Sequence, residues 1–403
     1  MPELELFQVA LGLTPPWRVI RSDFDREAGR LTIDLDFPRG SRFPCPSCKR
    51  PACPVHDVEP KRWRHLNFWQ YETILTARLP RIRCEQCGVL QVEVPWARPG
   101  SGFTVLFEAL VLTLAKEMPV HAIGRLFKEH DNRIWRIIHF HIDRARAQEN
   151  FSQVRRLGVD ESSRRRGHHY VSMFVDLDRP RAIFCTEGRD LESFGRFKAD
   201  FEAHGGQAEQ LTELCMDMAP SYRAGAARYL PQVPITFDRY HLMQNLNHAM
   251  DLVRRAEQEV ASTLKKSRYL WLTHPKRLSA GQRRRLGHLR REHRESAEAY
   301  RLKLAFADFY EQPAEVAEVY LAEWVEMAML SGLDPMADFA CSVADHWDGV
   351  VRWFNSKVSN GVLEAISSLV QAAKRRARGY RTTRNLVAIV YLAAGKLNFK
   401  PAT

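Results

Sequence analysis

The sequence predicts a multidomain α/β protein, with a mixed sheet core that carries a helical insertion and is preceded by a cysteine-rich ribbon and a three-helix module. Three observations predict it. Two Cys-x-x-Cys pairs, Cys45 with Cys48 and Cys84 with Cys87, lie in the first hundred residues. Alternating, β-branched runs then succeed one another between Arg156 and Glu187 and give way to helix and strand patterns in turn. From Leu242 to about Trp353 strand character disappears and long helical runs take over. These shifts divide the chain into 1–98 (N-terminal strands and ribbon), 99–150 (three helices), 151–241 (first part of the core), 242–355 (insertion) and 356–403 (closing core helices).

A chain of 403 residues, 45% of them hydrophobic, can bury a large core. Sixty Lys and Arg against 48 Asp and Glu leave a formal charge of +12. That balance favours a polyanionic partner, nucleic acid first, against the plainer alternative of solvated basic faces. No run approaches the roughly 18 apolar residues of a membrane span, and the first thirty residues carry charge throughout with no apolar signal core. The expected location is the cytoplasm, with no membrane partner, and the eight cysteines should be reduced there and available for metal.

Residues 1–40 read as a small adaptor: LELFQVALGL as a short helix or strand, then two alternating strands around a charged turn. Thirty-five residues separate Cys48 from Cys84. Each pair can turn two thiolates toward one ion, and two such turns complete the tetrahedron that structural zinc prefers. Cys53 and His56 make a competing set with Cys45 and Cys48, and reduced structural or redox thiols are the alternative to any metal at all. Beyond the loop at 96–102 the period becomes helical. Phe103, Phe107, Leu110 and Leu114 share a face, Met118-Pro119 breaks the run, Val120, Ile123 and Phe127 begin another, and Ile134, Ile138 and Ile142 mark a third helix. Three short helices with a tight second turn predict a helix-turn-helix. Arg133, Arg136 and His139 fall off the last apolar stripe, where they can reach DNA phosphates or base edges; a helical spacer with solvated arginines is the alternative.

The core carries three acids in suggestive places. Asp160, where the apolar run of RLGVDES stops, and Asp217, in ELCMDMAPSY, are each expected at the end of a strand, and Glu364 lies on a late amphipathic helix whose Leu363, Ile366, Val370, Ala373 and Ala377 share one face. Glu364, Ser368, Gln371, Arg375 and Arg378 share another, so that an acid and phosphate-gripping arginines run along one track. Each acid has a plainer reading: Asp160 as partner of Arg164, Arg165 or Arg166, Asp217 as a cap for the helix at Pro220, Glu364 as half of a surface pair. Glu161 should face away from Asp160 because strand side chains alternate. Asp238 and His241, in FDRYH, make a local polar pair with a supporting role. Arg283, Arg284, Arg285, Arg290 and Arg291 in the insertion read equally well as a DNA grip or as a solvated face.

GVDES, TEGR at 186–189, CMDM-APSY, FDRYH, SNG-x-x-E with KRRARGYR, and the cysteine pairs, in this order, resemble the RNase H-like DDE transposases of the ISL3 insertion-sequence group over nearly the whole chain. The resemblance implies catalytic acids at Asp160, Asp217 and Glu364 holding two magnesium (or manganese) ions. It also implies a structural zinc ribbon on Cys45, Cys48, Cys84 and Cys87. The implied activity is binding of terminal repeats, metal-dependent cleavage, and strand transfer into target DNA by a homodimer or larger synaptic complex at the bacterial nucleoid. Ser367 stands where many relatives have Asn. A DNA-binding regulator with an inert core and an RNase H-like nuclease that cuts without joining are the competing classes.

Overall fold

The computed structural model describes residues 2–165, 169–358 and 361–399. The chain forms two compact units, Met1–Ala145 with Leu397–Thr403, and Arg146–Lys396.

In the first unit α1 (Pro2–Ala10) precedes six strands: β1 (Arg18–Asp25), β2 (Arg30–Asp36), β3 (Arg42–Phe43), β4 (Cys53–Arg64), β5 (Glu72–Cys84) and β6 (Gly88–Gln91). They form one sheet in the order β1-β2-β5-β4-β3, with β6 paired to β5. Strand β2 runs parallel to β5, from Arg30 opposite Glu72 to Leu35 opposite Ala77. The first forty residues are therefore an integral part of the ribbon's sheet, which no local pattern announces, because the pairing joins segments forty residues apart. Leu31, Ile33 and Leu35 alternate into the core of this sheet beside Trp17, Phe43, Trp63 and Trp96.

Three helices follow: α2 (Val105–Glu117), α3 (Val120–Phe127) and α4 (Asp131–Arg146). Phe107, Val111, Leu112 and Ala115 are the buried apolar residues of α2, so the inward face is rotated from the one expected through Leu110 and Leu114. That inward face also carries Glu108, a fully buried acid. It accepts bonds from Arg98 Nε (2.9 Å) and Ser101 Oγ (2.6 Å) in the loop before α2, and its contact with the His141 ring (2.6 Å) ties α2 to α4. Burial alone would raise the Glu108 carboxyl, and these partners hold it below its ordinary range.

The second unit is built on β7 (Arg156–Arg165), β8 (His169–Asp176), β9 (Arg181–Glu187), α5 (Glu192–Ala203), β10 (Glu213–Met216), α6 (Pro220–Tyr229) and β11 (Ile235–Phe237). Sheet order is β11-β10-β7-β8-β9. Strands β7, β8 and β9 form an antiparallel meander, whereas β10 and β11 run parallel to β7. This is the RNase H-like arrangement. Asp160 does not end its strand: β7 continues to Arg165, paired with β8, because the polar run beyond Asp160 still finds ladder partners. Residues 166–168, including Arg166, and the side chains of Arg164 and Arg165 lie outside the described residues.

The insertion comprises α7 (Arg239–Val260), α8 (Arg268–Leu272), α9 (Ala280–Glu292), α10 (Arg294–Phe309), α11 (Ala314–Met329), α12 (Asp334–Ala344), α13 (Trp347–Val351) and α14 (Trp353–Ser356). The arginine-rich run that reads as one helix is two, α9 and α10. The chain is extended at His293, whose buried ring bonds Thr263 Oγ1 (2.8 Å), and Glu257 of α7 accepts the Ser296 N–H of the next first turn (2.9 Å). Such caps come from residues distant in sequence. Helices α15 (Gly361–Ala377) and α16 (Thr383–Ala394) complete the core. Among the described residues, no helix is long and apolar enough to cross a membrane.

Candidate active site

Strand register aligns the acids. Cys215 of β10 is opposite Gly158 of β7, and two residues further each chain reaches Asp217 and Asp160. Met216 is opposite Phe237 of β11, and one residue further lie Asp217 and Asp238. Three aspartates thus form a row across neighbouring strands, each step about 4.8 Å.

Their environments differ. Asp160 is half-buried; its Oδ1 accepts the Glu161 N–H (2.7 Å) and its Oδ2 the Ser367 hydroxyl of α15. Burial pushes its carboxyl up, Ser367 and the Glu161 N–H oppose this, and the negative Asp238 adds to the rise. Asp217 accepts the Ala219 N–H at 3.0 Å, a turn ahead of α6, and α6 has no side-chain cap. Asp238 is buried and uses both oxygens, for the Tyr240 N–H (2.6 Å) and His241 Nδ1 (2.7 Å). That bond first, with the nearby Asp160 and Asp217, raises the pKa of His241 against the opposing effect of burial. The carboxylates around it thus favour the charged form of the ring.

Helix α15 lies along β7. Leu363 meets Gly158, Ser367 bonds Asp160, Gln371 Nε2 donates to Ser162 Oγ (2.7 Å), and Lys374 Nζ donates to the Ser163 carbonyl. Four helical residues rise about 6.0 Å and two strand residues about 6.6 Å, so the two elements keep step. Glu364 is exposed and lies three residues before Ser367, on the same side of the helix, with Cβ atoms about 5–6 Å apart. Among the described residues the three carboxylates form no group whose oxygens all lie within 4.8 Å. A pair of ions about 3.5–4 Å apart takes ligands across a wider span than that. Ser359 and Asn360 of the SNG-x-x-E block lie outside the described residues.

Gly158 permits this approach: a Cβ there would stand 2.8 Å from both Leu177 Cδ2 and Leu363 Cδ2. Gly158→Val is expected to destabilise by about 1–3 kcal/mol and to slow DNA cleavage by pushing α15 outward. Thermal melts and a cleavage assay on one preparation check this; unchanged cleavage would show that close seating of α15 is unnecessary.

In the first unit the sulfurs of Cys45, Cys48, Cys84 and Cys87 lie within 4.8 Å of one another, with Cys48 and Cys84 sulfurs 3.6 Å apart. Tetrahedral zinc with Zn–S bonds of about 2.3 Å sets sulfurs about 3.8 Å apart, so the four thiols fit the ion. Backbone N–H groups of Cys87 and Gln86 pull the Cys84 thiol down to about 6. Cys53 and His56 stand outside the quartet; Cys53 Sγ donates to the Arg50 carbonyl (3.7 Å), and His56 Nδ1 lies 3.2 Å from Arg83 Nη2.

On α4, Arg136 is exposed, Arg133 pairs with Glu129 (2.5 Å) and stacks over Phe103, and His139 stacks on Trp135. Arg375 is exposed on α15, and Arg378 follows its end.

A zinc ribbon, a helix-turn-helix and an RNase H-like sheet with acids in a row together define a DNA-processing enzyme. A transposase family model matches residues 157–390. The helix-turn-helix domain of transposase family ISL3 matches 92–142, and the zinc finger of the IS204/IS1001/IS1096/IS1165 transposases matches 41–87. The chain is 25% identical over 366 residues to the transposase for insertion sequence element IS1557 of Mycobacterium tuberculosis, covering 82% of this chain and 81% of that one. It is 24% identical over 383 residues to the transposase for IS1001 of Bordetella parapertussis, covering 92% and 94%. The chain belongs to transposase family ISL3 and is a DDE-type insertion-sequence transposase.

Proposed function

We propose that this transposase binds the terminal repeats of its element, cuts at their ends with Asp160, Asp217 and Glu364, and joins the freed 3′ hydroxyl to target DNA. The observation that carries this reading is the alignment of Asp160 with Asp217, with α15 tied to Asp160 through Ser367. An all-oxygen donor set suits magnesium or manganese, and a half-buried carboxylate in line with other carboxylates suits a cation. Asp160, Asp217 and Glu364 would hold the two ions. When bound, they make water more nucleophilic and stabilise the charge on the leaving oxygen.

The chain's own groups do the rest. Asp238 orients His241 through the bond to Nδ1. Arg375 and Arg378 grip phosphate along the track of α15. Cys45, Cys48, Cys84 and Cys87 hold one structural zinc and leave no position for water. Arg136, with Arg133 and His139 shaping the same helix, contacts the repeat. Two ends must be brought together, which calls for a homodimer or larger synaptic assembly, working in the cytoplasm on nucleoid DNA.

Purified protein incubated with labelled end duplex, target DNA and magnesium should yield cut ends and joined products. Cutting without joining would support a nuclease instead, and binding alone a regulator.

A further inference from the structure

Two motifs of this sequence, the TEGR run and the APSY run, contain none of the proposed metal ligands, yet hydrogen bonds through Ser172 of β8 join them. Tyr222, fully buried, shares a hydrogen bond of 2.8 Å with the hydroxyl of Ser172, also fully buried. Ser172 Oγ donates to the Gly188 carbonyl (2.8 Å), and the Gly188 N–H donates to the Tyr170 carbonyl (2.9 Å). Gly188 has φ +97, and a Cβ there would stand 2.8 Å from Asp190 Oδ2. The turn after β9 is thus pinned from within, and what it presents is Arg189.

The guanidinium of Arg189 lies 5.2 Å from the Tyr170 ring centre, and its Nη1 stands 2.9 Å from Glu161 Oε1. Glu161 follows Asp160 on β7, and its other oxygen, Oε2, is buried and accepts no bond among the described residues. The pair is therefore joined through one nitrogen and one oxygen, where a guanidinium and a carboxylate can form two parallel bonds. The side chain of Arg189 remains 41% exposed. Alternation turns Glu161 to the face of β7 opposite Asp160, yet its carboxyl still feels the charges of Asp217 and Asp160. A planar fork held there at one point lies within electrostatic reach of the acids and is free to take a phosphate.

We infer that Arg189 binds a DNA phosphate at the catalytic centre, with Glu161, Ser172 and Tyr222 as its positioning residues; this rests on the reading of Asp160 and Asp217 as catalytic acids. Arg189 supplies a fixed positive charge where the acids and the backbone of the substrate would otherwise repel each other. The bulk of end binding comes from the helix-turn-helix and ribbon, so loss of Arg189 falls on cleavage and not on capture of the end.

The test uses the full-length, zinc-loaded protein with magnesium and a labelled end duplex. Arg189→Ala should cut about 100-fold more slowly, with end affinity changed less than about threefold and melting unchanged. Arg189→Lys, which keeps the charge and loses the fork, should fall between the two. Single neutral methylphosphonates placed around the cut should slow the wild type at one position and leave Arg189→Ala no slower there, the mark of a direct contact. Cleavage by Arg189→Ala within about threefold of wild type, or losses that multiply at every methylphosphonate position, would overturn the inference. Asp160→Asn runs alongside: if it cuts at the wild-type rate, the reading of the acids fails, whichever way Arg189 behaves.

Discussion

Asp160→Asn is expected to reduce end cleavage by more than about 1,000-fold while raising the melting temperature. The first half follows from charge: on the proposed assignment Asp160 would hold both ions, and its amide would be a weaker, neutral ligand for them. The second half follows from the raised pKa of Asp160, which marks a carboxylate held in a place that disfavours its charge. A carboxyl whose folded pKa lies above its unfolded value costs nothing below the unfolded value, and the cost grows as pH rises through the folded one. The neutral amide avoids that cost, so its advantage should be absent in acid and develop as pH rises above about 4. Geometry need not suffer. The amide oxygen can accept the Glu161 N–H, and the Ser367 hydroxyl can turn to accept from the amide NH2 where it now donates. Rates on labelled end DNA and melts from pH 4 to 8, with Asp217→Asn and Glu364→Gln in parallel, check both halves. Three active variants would remove these acids from the mechanism.

Stripping zinc should abolish specific end binding. Structural zinc in small ribbons contributes apparent binding free energies of about 10–16 kcal/mol near neutral pH, larger than the stability of most domains. Here the quartet joins the turn between β3 and β4 to the one between β5 and β6, and Cys45 and Cys84 are buried in the unit's own apolar core. Chelation or Cys84→Ser is expected to weaken affinity for end DNA by about 100-fold or more. The sheet of the second unit, with its separate core around Phe174 and Phe197, should keep its structure. Metal analysis should give one zinc per chain, unchanged in Cys53→Ser and His56→Ala, and titration of end duplex should show the loss. A zinc-free protein that binds as tightly as the native one would show that the thiols serve another purpose.

Much of the local architecture was legible because it repeats at short range. The buried face of α15 through Leu363, Ile366, Val370 and Ala373 matches the spacing in the sequence, and so do Ile134, Ile138 and Ile142 of α4. Glu108 was missed, since an acid on an apolar stripe reads as exposed until Arg98, Ser101 and His141 are seen around it. Arg189 is visible only as part of a motif, and nothing in the sequence joins it to Glu161, which alternation turns from Asp160.

By itself the sequence determined the succession of ribbon, three helices, mixed sheet and insertion, the two Cys-x-x-Cys pairs, and which acids were worth following, while the structure chose the four cysteines over Cys53 and His56. Those features depend on neighbours two to four positions apart. Only the tertiary structure decided that β2 joins β5, that Asp160, Asp217 and Asp238 fall in one row, and that Asp238 has no free oxygen while Ser367 reaches Asp160. Register between strands dozens of residues apart is set by how whole faces pack, and a shift of one residue would turn every side chain to the other side of the sheet.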